Sequence, residues 1–224
     1  MHGGVDAVGR LAAIPGAGFA PNVTTFDNNL LSTFHVFQAA RLLKIRNLVW
    51  ASSETLLGYP FGSPPAYVPL DDDVPATPQV VYAMAKDLEE QMARHYCRWN
   101  PQLKMIGLRF SNVMDPSEYY AFPSFENDPA SRKWNLWSYI DARDGAQAVV
   151  RALEYQTPGF DSFAIANNDN VMSRSSADLM AEFFPDTEFR SPVEETQSLI
   201  STEKAHRVLG WTAKHSWRDH RPNG

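Results

Sequence analysis

One cysteine, Cys97, occurs in 224 residues, so the chain cannot close a disulfide on itself and suits a reducing compartment. No apolar run is long enough to cross a bilayer, and the opening Met1-His2-Gly3-Gly4 is not a secretion signal. A cytoplasmic protein with no membrane partner is the expectation. Basic side chains are in the minority, 20 against 26 acidic, for a formal charge of −6. With no Lys/Arg cluster to reverse that balance, no nucleic-acid partner is expected. The six histidines (His2, His35, His95, His206, His215 and His220) are scattered, with neither His-Glu-x-x-His nor Cys/His spacing, so no metal centre is expected. A Gly-x-Ser-x-Gly elbow is missing, which argues against a serine hydrolase. Internal repeats and low-complexity tracts are absent too. What remains, 44% hydrophobic and 21% charged, is an ordinary soluble composition with enough apolar material for one large domain, or a domain with a small appendage.

Strand and helix patterns alternate along the chain. Val5–Ala13 reads as a short buried strand, weakened by Gly9 and Arg10. A helix follows over about Val23–Lys44, with Phe26, Leu30, Phe34, Phe37 and Leu42 at helical spacing. Leu48–Ala51 is an apolar strand ending in Ser52-Ser53. Six prolines between Gly58 and Pro78, with Asp71-Asp72-Asp73, mark a solvated surface loop. A helix over Val80–Asn100 and a buried strand over Lys104–Phe110 come next. Ser111–Arg132 loses periodicity, as a ligand-covering loop does. Asp144 is expected to cap a helix running to Glu154, with Arg143 paired beside it. Ser162–Ala166 reads as a strand, Ser175–Phe184 as a helix capped by Ser173, and Ser201–Leu209 as a last helix. The alternation predicts an α/β fold with parallel strand pairing and right-handed crossovers.

The chemistry gathers between Leu48 and Lys86. Tyr82 and Lys86 lie four apart on one helix and therefore share a face, and Ser53 ends a neighbouring strand. A phenol is a poor base at pH 7, but a nearby ammonium favours its ionised form. Tyr82 is thus expected to exchange a proton with a substrate hydroxyl or carbonyl, with Ser53 holding the same oxygen and Lys86 activating the phenol. Arg132 is read either as a grip for a substrate carboxylate or phosphate or as a solvent-exposed side chain. Asn112 either forms a turn or touches substrate. Trp134 and Trp137 are read as core or lid packing, with sugar platforms as the alternative.

The segment Val49-Trp50-Ala51-Ser52-Ser53-Glu54-Thr55-Leu56-Leu57-Gly58, followed by Tyr82-Ala83-Met84-Ala85-Lys86, resembles the extended short-chain dehydrogenase/reductases of the NAD-dependent epimerase/dehydratase group. Further likenesses occur in order: Leu11-Ala12-Ala13, Asp27-Asn28-Asn29, Leu108-Arg109-Phe110-Ser111-Asn112, Trp137 through Asp144, and Lys204-Ala205 with Leu209-Gly210-Trp211. The resemblance implies a partial doubly wound parallel sheet with a small C-terminal substrate-binding region, divided into 1–110 for the dinucleotide-binding part with the catalytic groups and 111–224 for a mainly substrate-binding part. It implies Ser53, Tyr82 and Lys86 as catalytic residues. It implies Leu11, Ala12, Ala13, Asn28, Ser52, Tyr82, Lys86 and Ser111 as contacts to NAD or NADP, and Ser53, Asn112 and Arg132 as substrate contacts. It further implies a sugar or sugar-acid substrate, with uronate oxidation as one specific version, and a homodimer through two helices. The sequence departs from the family in lacking the Gly-x-x-Gly-x-x-Gly turn that holds a pyrophosphate, and Gly9-Arg10 replaces apolar-His. A truncated chain that starts at the family's fourth strand and holds the dinucleotide weakly by itself is therefore expected, and a non-catalytic binding or regulatory protein is the alternative.

Overall fold

A computed structural model describes residues 4–62 and 64–220. Its larger sheet contains β1 (Val8–Arg10), β2 (Asn47–Ser53) and β3 (Lys104–Phe110). The fourth strand, Gly159–Ile165, is numbered β6 in chain order, after the short β4 (Val113–Met114) and β5 (Ile140–Asp141). The order is β1-β2-β3-β6, with every pairing parallel. Helices α1 (Asn22–Leu42) and α2 (Val81–Trp99) make two of the crossovers, and α4 (Ala142–Glu154) precedes β6. A one-turn helix, α3 (Phe122–Phe125), lies in the segment between; α5 (Ser176–Phe183) and α6 (Glu203–Leu209) follow the sheet.

Alternating side chains of the central strands feed two cores, as a sheet covered on both faces requires. On one face Leu48, Trp50 and Met105 pack with Phe37 of α1 and Ala93, Tyr96 and Cys97 of α2. On the other Val49, Ile106, Leu108 and Phe163 pack with Ala148 and Ala152 of α4 and Ala205 and Leu209 of α6. A third core joins the proline-rich loop to the C-terminal segments through Tyr59, Val68, Phe122, Trp137, Tyr139, Leu199 and Trp217. Trp137 is fully buried, so it belongs to the core.

Several expectations need correction. The first strand is three residues long and has only β2 as a neighbour, as Gly9 and an edge position favour. Helix α1 buries Thr25, Asn29, Thr33, Phe37 and Ala40, while Phe34 and Leu42 of the expected apolar stripe are exposed. The helix capped near residue 144 starts one turn earlier: Asp141 accepts from the Arg143 N–H at 2.8 Å, and Arg143 pairs with Asp141 at 2.7 Å and not with Asp144. Asp144 is buried and accepts from the backbone N–H groups of Lys214 and His215. Ser175, not Ser173, caps α5. Asp72, expected in solvent, is largely shielded and accepts from the Ala164 N–H of β6 at 2.8 Å.

Gly107 lies mid-strand on β3 where the Trp50 indole crosses; a Cβ there would sit 3.2 Å from Trp50 Cζ2. Replacing Gly107 with valine is expected to displace Trp50 and cost about 1–3 kcal/mol, read as a lower urea midpoint at unchanged slope. An unchanged midpoint would show that the indole yields without cost.

Candidate active site

The carboxyl ends of β1, β2 and β3 open on a cavity of about 690 Å³. Its wall includes Leu11, Ala13, Ser52, Ser53, Glu54, Tyr82, Lys86, Ser111 and Asn112. Each arrives for a local reason. Strand β2 breaks at Ser53, whose extended backbone and side-chain oxygen cap the 3₁₀ turn Glu54–Leu57. That oxygen accepts from the Thr55 N–H at 3.2 Å and the Thr55 hydroxyl at 3.0 Å, and Ser53 lies near enough to the Tyr82 phenol to favour its ionised form. With its acceptor sites used by Thr55, the Ser53 proton points to the phenol or to a substrate oxygen.

Lys86 is 1% exposed. Its Nζ donates to the Ala51 carbonyl at 2.6 Å and to Glu89 Oε2 at 3.2 Å, and lies 5.9 Å from the Tyr82 ring centroid. The three expected catalytic groups therefore converge. Their electrostatics differ from expectation. Burial pushes the Tyr82 phenol up to about 12, the nearby Ser53 side chain opposes this, and the charges of Glu89 and Glu54 add to it. Lys86 itself is lowered, chiefly by burial, against the pull of Glu89. The ammonium is neutralised by Glu89 and does not by itself make the phenol a base.

Two implied cofactor contacts shift. Asn28 is exposed. Its neighbour Asn29 is fully buried, accepting from the Ile14 N–H at 2.8 Å and donating to the Ile14 carbonyl at 3.0 Å. Asn29 thus shapes the cavity loop from behind. Ala12 is exposed, and the wall there is Leu11, Ala13, Pro15, Gly16, Ala17 and Phe19. Ser52 touches the cavity but commits its hydroxyl to Glu90 Oε1 at 2.7 Å. Arg132 is neither solvent-exposed nor on the wall. It is 8% exposed, donates to the Ser138 carbonyl at 2.8 Å and Asn112 Oδ1 at 3.3 Å, and stacks near Phe125 and Trp134. Asn112 is on the wall and also donates to Met114 Sδ at 2.9 Å. Trp134 lines the cavity.

Sequence reasoning missed Glu54. Directly after Ser53 and 3% exposed, it accepts from Ser111 Oγ through a very short hydrogen bond, from Ser138 Oγ at 2.9 Å and from Asn135 Nδ2 at 3.3 Å. Burial raises its carboxyl to about 7 despite these donors and the nearby charge of Arg132. The available signal was an acid immediately following an apolar strand end.

For a nicotinamide cofactor the fit is partial. Two of three Lys86 N–H groups are engaged, which leaves one for a ribose hydroxyl, and the cavity reaches Tyr82 and Ser53. Among the described residues no glycine-rich strand-to-helix turn holds a pyrophosphate. Asp141, Asp144 and His215 bring ligand-type atoms within 4.8 Å of one another. Those carboxylates accept from Arg143, Tyr119, His215 and backbone N–H groups and act as structural ties.

The raised Glu54 carboxyl has a stability signature. A folded-state value of about 7 against the ordinary 4.5 means the folded chain binds more protons between those values. Its contribution is complete below pH 4.5 and is lost as pH rises through 7, about 3 kcal/mol in all. Glu54→Gln is expected to flatten the fall in denaturation free energy over that window. An identical slope in the variant would place the titration elsewhere.

A UDP-glucose 4-epimerase of Cyamopsis tetragonoloba is 25% identical over 94% of this chain and 69% of its own length. A bifunctional UDP-glucose and UDP-xylose 4-epimerase of Arabidopsis thaliana is 23% identical over 85% of this chain and 63% of its own length. The chain thus spans about two thirds of these relatives. Among solved structures, a UDP-glucose-4-epimerase of Stenotrophomonas maltophila shares the fold with a TM-score of 0.68 at 19% identity, covering 96% of this chain and 73% of that one. The profile of the NAD dependent epimerase/dehydratase family matches residues 1–166, which contain every strand of the larger sheet, and the chain belongs to that family.

Proposed function

We propose that this chain carries the catalytic side of an NAD(P)-dependent enzyme that oxidises, reduces or epimerises a hydroxyl-bearing carbon of a sugar. The observation that supports it most is the meeting of Ser53, Tyr82 and Lys86 on one cavity at the carboxyl ends of parallel strands, with the Lys86 ammonium 5.9 Å from the Tyr82 ring centroid. Ser53 donates to the substrate oxygen and fixes its place. Tyr82, neutral as it stands, gives a proton to that oxygen when it is a carbonyl and takes one back when it is a hydroxyl. Bringing the phenol from about 12 to pH 7 takes about 7 kcal/mol at 1.36 kcal/mol per unit. A bound oxidised nicotinamide supplies the hydride acceptor and a positive charge beside the phenol. Lys86 holds Tyr82 in place and offers a donor to a ribose hydroxyl.

A second reading, a binding or regulatory protein without turnover, is favoured by one feature. Strand β1 has no partner on its outer side among the described residues, the side on which a further mononucleotide-binding half would lie. Both readings meet in one experiment, in which NADH absorbance and epimer formation are followed with neutral sugars, sugar acids and nucleotide sugars. Turnover that falls about 10²–10⁴-fold in Tyr82→Phe supports the enzyme. Equal rates in the variant reject Tyr82 as acid/base. Absence of both turnover and dinucleotide binding leaves the second reading.

Self-association through α1 and α2 is also proposed. Leu31 and Phe34 of α1 and Met84 and Leu88 of α2 are large apolar side chains at 51%, 36%, 42% and 36% exposure, and α1 packs on α2. Light scattering is expected to give the mass of two chains, reduced to one by Leu31→Glu with Met84→Glu. A wild-type mass of one chain would reject the interface.

A further inference from the structure

Among the described residues Glu54 is the one carboxylate on the cavity wall, where it forms an acidic floor. Glu54 lies between Ser53 and the cavity-lining Ser111. All three hydrogen-bond donors to its carboxyl are neutral side chains. Lys86, the one cation of the wall among the described residues, gives two of its three N–H groups to the Ala51 carbonyl and Glu89. Arg132 stands behind the wall, committed to the Ser138 carbonyl and Asn112. The floor therefore offers hydrogen-bond acceptors and negative charge to whatever part of a substrate lies beside the reacting carbon.

We propose that Glu54 sets the charge class of the substrate, admitting an uncharged sugar ring and turning away a sugar acid whose carboxylate would lie against the floor. This rests on the sugar reading of the site given above and narrows it.

The hydroxyl network gives the selection two states. Ser111 Oγ and Ser138 Oγ are 2.7 Å apart, and Ser138 Oγ is 2.8 Å from the Asn135 carbonyl. Each hydroxyl has one proton. With Glu54 ionised, both hydroxyls donate to its carboxylate. With Glu54 protonated, one directional chain runs from Glu54 to Ser111, to Ser138 and to the Asn135 carbonyl. The heavy-atom positions match the protonated chain, in which each of the three closest oxygen pairs has a proton between them. Ionisation leaves the Ser111–Ser138 and Ser138–Asn135 pairs without one, so the floor changes charge with a local shift of these hydroxyls. The charged or titratable groups that face Glu54 are Arg132 from the turn Pro129–Asn135, Tyr59 from the loop after the 3₁₀ turn, and Tyr82 from α2. Both phenols are raised by burial, which leaves the Glu54 carboxyl as the group that titrates near neutrality.

UDP-glucose and UDP-glucuronate differ in a hydroxymethyl against a carboxylate and serve as probes. Dissociation constants for the full chain are measured by calorimetry between pH 5.5 and 8, with NAD present. The wild type is expected to prefer UDP-glucose by about tenfold or more at pH 8 and to approach parity at pH 5.5. Glu54→Gln, the same size without the charge, is expected to show near-parity throughout. Parity of the wild type at pH 8, unchanged discrimination in Glu54→Gln, or binding of neither nucleotide sugar would each overturn the proposal. The wild-type pH dependence decides the matter even where the variant does not fold. Selective binding without Tyr82-dependent hydride transfer would overturn the redox reading and leave Glu54 as the selector.

Discussion

One ammonium fastens the site together. Lys86 Nζ grips the Ala51 carbonyl at 2.6 Å and so pins α2 to the last turn of β2. Tyr82 is one helical turn before Lys86 on the same face, and Ser53 is two residues past Ala51 on the same side of the strand. The single bond therefore brings the phenol and the hydroxyl to the same cavity. Burying that ammonium requires an anion, and Glu89 supplies it 3.2 Å away. The neighbouring Glu90 is in turn held by Arg109 at 2.8 and 3.0 Å and by Ser52 at 2.7 Å. Removing one member of such a buried set leaves an uncompensated charge. Helix docking and catalytic geometry thus rest on the same contacts.

The fold was legible where burial is simple. Lys104–Phe110 carries Met105, Ile106, Leu108 and Phe110 among its seven residues, and its expected bounds coincide with β3. Helix α1 was legible in extent but not in orientation. Counting apolar side chains selects Phe26, Leu30 and Phe34, whereas the face turned inward is Thr25, Asn29 and Thr33, whose hydrogen-bonding groups bond locally, Thr33 to the Asn29 carbonyl and Asn29 to Ile14. The same cause explains Asn28 and Asn29. One residue on a helix is a rotation of about 100°, enough to move the functional amide from solvent to the interior.

That Ser53, Tyr82 and Lys86 share one cavity was legible because they are neighbours in the sequence pattern. Glu54 was not, because its donors lie at Ser111, Asn135 and Ser138, and only the fold brings them to it. Taken alone, an acid after a strand reads as surface charge. Arg132 shows the converse: a guanidinium on an aperiodic loop looks available, and the aromatic rings and carbonyl around it make it part of the framework.

The chain's last segment returns to this framework. Trp211 Nε1 donates to the Asp144 carbonyl at 2.9 Å, Asn167 Nδ2 to the His215 carbonyl at 2.6 Å, and the Trp217 N–H to the Tyr139 hydroxyl at 3.1 Å. Tyr139 directly follows Ser138, and Asn135 is four residues before it. During synthesis from the amino terminus, Ser53, Tyr82 and Lys86 leave the ribosome well before residues 211–217, which brace the segment holding Asn135 and Ser138. Those three groups can meet on the nascent chain, but the acid beneath them is seated only once this later brace has emerged.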